Sequence, residues 1–230
     1  MLHNTTELYG DVLSALDGEI GSVKDFYFDD NNWVVRYLIV DTGSWLTGRA
    51  VLLSPHSFGN LDQLERKLNI QLTMGQIEKS PSIESHLPVS RQYERDYFTY
   101  YGFPAYWDGG GMWGAGGYPM LLPTLDDAGT AHKSFHHRAD KHLRSTQAVT
   151  GYTIHATDGE IGKVSGFMVD EKNWAIRDLV VETGSWFTGK EIKVPVSKVD
   201  RISYEDSTVY ITLTKEDLQR TPEDSVAHHS

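Results

Sequence analysis

The most recognisable chemical motif in this chain is Asp41-Thr42-Gly43-Ser44, the Asp-Thr-Gly-Ser signature of aspartic proteases. That chemistry needs two carboxylates about 3 Å apart sharing one proton, so that one serves as acid while the other serves as base. The matching position later in the chain is Glu182, whose extra methylene displaces its carboxylate, and both stretches run on into Trp-x-Thr-Gly, which suits a corner at the end of a strand. Asp41 and Glu182 are therefore read as turn residues, and no enzymatic activity is expected. Metal binding is a second chemistry: His132, His136, His137 and His142 have spacings that one helix face could gather. Neither a thiol nor a well-placed carboxylate completes the set, so these histidines are read as part of a solvated linker, with weak metal binding as the alternative. No cofactor is expected.

Arginines and aromatic residues form the third group. Arg36 and Arg177 occupy the same place in two similar stretches, beside Trp33 and Trp174. A guanidinium stacked on an indole and paired with Asp29 or Asp170 explains this structurally, and contact with a partner is the alternative. Trp33, Trp45, Trp174 and Trp186 are read as packing within or between the two stretches, with partner binding as the second reading.

The positioning elements come from a duplication. Residues Leu8 to Pro81 reappear without a gap as Val149 to Pro222, and Asp17 to Arg49 is identical to Asp158 to Lys190 at 19 of 33 positions. Asp17-Gly18 and Asp158-Gly159 predict hairpins, and Asp29-Asp30-Asn31-Asn32, like Asp170-Glu171-Lys172-Asn173, predicts a second turn. The β-branched runs Trp33 to Val40 and Trp174 to Val181 read as the third strand of each copy. Thr73 with Gln76, and Thr214 with Asp217, predict one capped terminal helix per copy. The expected fold is mainly β: residues 1–81 and 149–230 as two small closed or nearly closed β-barrels, joined by an aromatic and His-containing connector over 82–148. In that connector Ser90 is expected to cap a helix from Arg91 to Tyr101, with Tyr93, Tyr97 and Tyr100 or Tyr101 on one stripe. The segment containing Trp107 and Trp113 is expected to strap across the barrels or to present a sticky surface to a partner.

The run Asp17-Gly-Glu-Ile-Gly, then Trp33, then Asp41-Thr-Gly-Ser-Trp-Leu-Thr-Gly-Arg-Ala-Val-Leu-Leu-Ser-Pro55 resembles the PRC-barrel family, named for the cytoplasmic barrel of the photosynthetic reaction-centre H subunit. The second copy resembles it equally. The resemblance implies two PRC-type barrels in tandem and a docking or assembly role, by analogy with the barrel that covers an electron-transfer complex and with one that holds a ribosomal protein during ribosome maturation. Neither a membrane anchor like that of the first relative nor a second domain type like that of the other is expected here.

Composition sets outer bounds. The 230 residues suffice for two small domains, and the formal net charge of −11 argues against a nucleic-acid partner. The absence of cysteine leaves stability to packing and suits a cytoplasmic setting. No apolar run reaches the roughly 20 residues of a membrane span. A protein partner is expected, with peripheral attachment to a membrane complex and homodimerisation both open.

Overall fold

The computed structural model describes residues 1–47, 49–82, 89, 91–107, 109, 111–114, 116–119, 143–184 and 189–220. The first unit contains β1 (Leu2–Asn4), α1 (Thr5–Leu8), β2 (Val12–Ala15), β3 (Gly18–Asp29), β4 (Val34–Asp41), β5 (Val51–Leu53), β6 (Phe58–Asp62), β7 (Lys67–Ile70) and α2 (Met74–Glu78). After α3 (Arg91–Tyr101) the pattern repeats as β8 (Leu143–Ser145), α4 (Thr146–Val149), β9 (Thr153–Ala156), β10 (Gly159–Asp170), β11 (Ile176–Thr183), β12 (Glu191–Pro195), β13 (Val199–Ser203), β14 (Thr208–Ile211) and α5 (Lys215–Arg220). Among the described residues no helix is long and apolar enough to cross a membrane.

The hairpins fall where the Asp-Gly pairs place them. Ala15 faces Gly18, and Ala156 faces Gly159. Gly21 and Gly162 have positive φ, and a Cβ there would lie 2.0 and 2.1 Å from the carbonyl oxygens of Asp41 and Glu182, so only glycine allows β3 and β10 to bend this closely over their neighbours. Thr73 and Gln76 form a reciprocal capping box on α2. Asp217 likewise accepts from the Thr214 backbone N–H, while Thr214 Oγ1 accepts from the Asp217 N–H.

Each unit is one sheet, ordered β5-β4-β3-β2-β7-β6 and β12-β11-β10-β9-β14-β13. The expected closed barrel is not formed: among the described residues the ladder runs from one end strand to the other without joining them. The end strands β5 and β6 are consecutive in the chain and meet through a 3-10 turn, Pro55–Ser57. That turn redirects the chain instead of pairing it, and Gln71 N donates to Ser57 O, extending the β6–β7 ladder into the turn. In the second unit Val196–Lys198 makes the corresponding turn, and Thr212 N donates to Lys198 O.

The leading strand of each unit lies in the other unit's sheet. β1 pairs antiparallel with β10, placing Leu2 opposite Asp170 and Asn4 opposite Met168, while β8 pairs with β3, placing Leu143 opposite Asp29 and Ser145 opposite Tyr27. The short helices follow their strands. Thr5 Oγ1 accepts from Phe167 N, whereas Asp25 accepts from Ser145 Oγ, Thr146 Oγ1 and Gln147 N. Between the units, Val34 bridges Ala175, Val35 N donates to Trp174 O, and Ile176 N donates to Trp33 O. These contacts relate the halves by an approximate twofold axis beside Val34 and Ala175. Phe28 meets Phe167, and Trp174 meets Phe26 and Phe58, so the core is continuous across the joint.

Candidate functional site

The two copies diverge most informatively on one face of the sheet. Tyr37 is replaced by Asp178, Leu52 by Lys193, and His56 by Ser197. In the first unit all three positions are buried, because α3 and the aromatic chain after it lie over β4, β5 and the 3-10 turn; in the second, Lys193 and Ser197 are exposed.

The helix contributes Glu94, Tyr97 and Phe98, at the spacing that puts three side chains on one face. Glu94 accepts from Tyr37 at 2.9 Å and from Tyr106 at 2.6 Å, and it is fully buried. Tyr97 is fully buried, meets Tyr37 edge-on, and accepts from the Ser54 backbone N–H with its hydroxyl at 2.9 Å. Burial pushes the hydroxyls of Tyr37 and Tyr97 far above the ordinary tyrosine range, with the Glu94 charge adding to the effect at Tyr37. Both stay neutral donors or acceptors.

His56 sits beneath the strap. Its ring stacks on Phe103 at 5.1 Å and meets Trp113 edge-on at 4.9 Å, while Nδ1 shares a 3.0 Å hydrogen bond with Ser54 Oγ. Burial, reinforced by the nearby Arg36 charge, lowers its pKa from the ordinary 6.5 to about 4. The imidazole is thus neutral, and its Nε2 has no hydrogen-bond partner.

Arg36 and Arg177 have opposite environments. Each pairs with the carboxylate seven residues earlier, Arg36 with Asp29 at 3.1 Å and Arg177 with Asp170 at 3.0 Å, but their side-chain exposures are 2% and 46%. The aromatic partners of Arg36 are not the neighbouring indole. Its guanidinium lies 3.9 Å from the centre of the Tyr106 ring and 4.9 Å from that of Trp113, and Nη1 donates to Met112 O. Burial alone would raise the Asp29 pKa; hydrogen bonds from Asn32 and the Arg36 charge outweigh it and hold the carboxyl low.

The sequence-selected aromatic residues divide between this face and the joint. Trp33 and Trp174 sit in the turns before β4 and β11 with φ of 53° and 56°, and their carbonyls bind the opposite unit; Trp33 stacks on Phe28. Trp45 is half-buried in the corner after β4, where its backbone N–H donates to Thr42 O. Tyr93 donates to Pro81 O, Tyr101 stacks on Phe103, and Trp107 meets Phe98 edge-on. Trp113 reaches both units, since its Nε1 donates to Asn173 O. Trp186, Ser90, His132, His136, His137 and His142 lie outside the described residues. Asp41 accepts from its own Gly43 N–H at the exposed corner, and Glu182 lies on the other sheet, opposite Lys163 and Glu191. Among the described residues no three His, Cys, Asp or Glu side chains are placed to hold a metal ion.

Residues 149–218 match the family model for the PRC-barrel domain. The chain carries a PRC-barrel domain. No curated protein matches the sequence. The matched PRC-barrel unit is the one in which Lys193 and Ser197 are exposed, while the first unit, with the same strand order, carries the strap. Sequence reading missed Tyr37, His56 and Glu94. The available signal was the polarity difference between the copies: apolar or aromatic residues where the twin has Asp, Lys and Ser mark a covered face.

Proposed function

We propose that this protein is a non-catalytic protein-binding or scaffolding module built from two PRC-type units, serving in the assembly or regulation of electron-transfer complexes. One observation carries the binding reading: the first unit's sheet face already holds a protein segment, α3 with its aromatic extension, through a mixture of ring contacts and directed hydrogen bonds. PRC-barrel domains are protein-interaction modules in general, which supports the same reading. The electron-transfer setting rests on the sequence resemblance to the reaction-centre H subunit. The buried Arg36, His56 and Glu94 are engaged with the strap and the sheet, an arrangement that favours recognition over turnover.

Affinity capture from the native host after mild crosslinking, read by mass spectrometry, tests this. The expected result is reproducible enrichment of one protein assembly containing electron-transfer subunits. Enrichment of none above background, from a folded bait, overturns the binding role, and enrichment of an unrelated assembly overturns only the electron-transfer setting.

A further inference from the structure

Taking the first unit to be a protein-binding module, as proposed above, we infer that its face over β4, β5 and Pro55–Ser57 is a recognition groove for an amphipathic helix bearing a carboxylate followed three and four residues later by aromatic side chains. The chain's own α3 is a cis occupant of that groove, and a partner helix of the same chemistry displaces it.

Three observations lead there. The groove is specific in what it offers: the Tyr37 hydroxyl donates to a carboxylate, the Ser54 N–H donates to a phenolic oxygen, and the His56 ring packs perpendicular to that of Phe98. Glu94, Tyr97 and Phe98 satisfy these in order, which is helix-in-groove recognition by residues at i, i+3 and i+4. The cover is also not required by the fold, because the second unit keeps the same strand order with Lys193 and Ser197 exposed at the corresponding positions. Finally, the contact between strap and sheet is incompletely satisfied: Arg36 Nε and His56 Nε2 are buried beneath the strap without hydrogen-bond partners. Buried polar atoms left unmet weaken an interface, and interfaces within a chain that resemble transient protein contacts are the ones that open.

A cis occupant lowers apparent affinity for a competitor by the fraction of time the groove is open. The probe is a fluorescein-labelled peptide with the sequence of residues 89–107, titrated into the full chain by anisotropy. In the strap variant Tyr97→Ala/Phe98→Ala the peptide is expected to bind about tenfold or more tighter than to wild type, reflecting the larger open fraction. Adding Tyr37→Asp and Leu52→Lys, which copy the second unit, is expected to abolish that gain. A folded strap variant that binds no tighter than wild type overturns the inference. Hydrogen exchange on the unmodified chain gives a second check: α3 amides are expected to exchange through local opening, faster than those of β10 and β11. Exchange of α3 only at the rate of those core strands overturns the inference even if the variant fails to fold. If host proteins are captured but the peptide result is negative, the groove inference falls while the binding role stands on another surface.

Discussion

Thr146 and Asp25, separated by 121 residues, are joined by a 2.9 Å hydrogen bond in the buried seam between the two units. Asp25 also receives Ser145 Oγ and Gln147 N, so one carboxylate anchors the whole β8–α4 arm on β3. Its counterpart on β10 is Gly166, and there the arrangement is inverted. The space a side chain would fill is taken by the Asn4 amide, which caps α1 by accepting from Thr6 N.

This inversion predicts a compensated pair. A Cβ at Gly166 would lie 2.4 Å from Asn4 Oδ1. Gly166→Ala is expected to destabilise the chain by about 1–3 kcal/mol through overpacking. Adding Asn4→Gly, which costs only the cap, is expected to recover part of that loss, so the double variant lies above the sum of the singles in a urea-unfolding cycle. Simple additivity would place Asn4, and with it the β1–α1 segment, away from Gly166 of β10.

The buried arginine should matter far more than its repeat. Arg36→Met removes the partner of Asp29 inside a closed interface, where breaking such a pair costs roughly 2–4 kcal/mol, moderated here by the Asn31 and Asn32 contacts to Asp29. Arg177→Met is expected to change stability by less than about 0.5 kcal/mol, since its pair is solvent-exposed. Equal costs in parallel urea melts would contradict the asymmetry of the two faces.

His56 predicts a limb of acid sensitivity. Its folded pKa of about 4 lies below the ordinary 6.5, so the unfolded chain binds more protons between those values, and stability falls as pH drops through that window. The full effect is on the order of 3 kcal/mol. His56→Gln is expected to flatten the pH dependence of unfolding free energy between pH 6.5 and 4, whatever it does to absolute stability. An unchanged slope would mean that the imidazole is hydrated in the folded chain.

The paired tryptophans provide a fourth test. Both adopt a left-handed backbone that costs a bulky residue about 1–2 kcal/mol, sustained because each carbonyl binds the opposite unit. Trp33→Gly trades relief of that strain against the loss of a half-buried ring and is expected to cost little. Trp174→Gly removes a buried ring packed on Phe26 and Phe58 and is expected to cost about 3 kcal/mol or more, read as a lowered Tm.

Local features of this fold were legible in the sequence because local chemistry fixes them: the Asp-Gly hairpins, the Asx turn at Asp29, the Thr73–Gln76 capping box and the helix over Arg91–Tyr101. The pairing of Arg36 with Asp29 was also readable, being a contact seven residues apart. The exchange of β1 and β8 was not. Leu2–Leu8 and Leu143–Val149 share only Leu2/Leu143 and Thr5/Thr146, and their pairing partners lie far along the chain, where periodicity carries no information. The expectation that Arg36 stacks on Trp33 failed for the same reason, since Tyr106 and Trp113 arrive from the connector. Counting short strands suggested closure, but pattern does not reveal whether the end strands meet by a ladder or by a 3-10 corner.

The position of β8 also sets a schedule for synthesis. Asp29 leaves the ribosome long before Leu143, its register partner, so β3 spends on the order of ten seconds of translation with its edge bare. A nascent β edge of this kind is a target for holding chaperones and for mispairing with neighbouring chains on the same message. The interval between the halves thus acts as a vulnerable waiting period, and codon choices that lengthen it are expected to lower the yield of native protein.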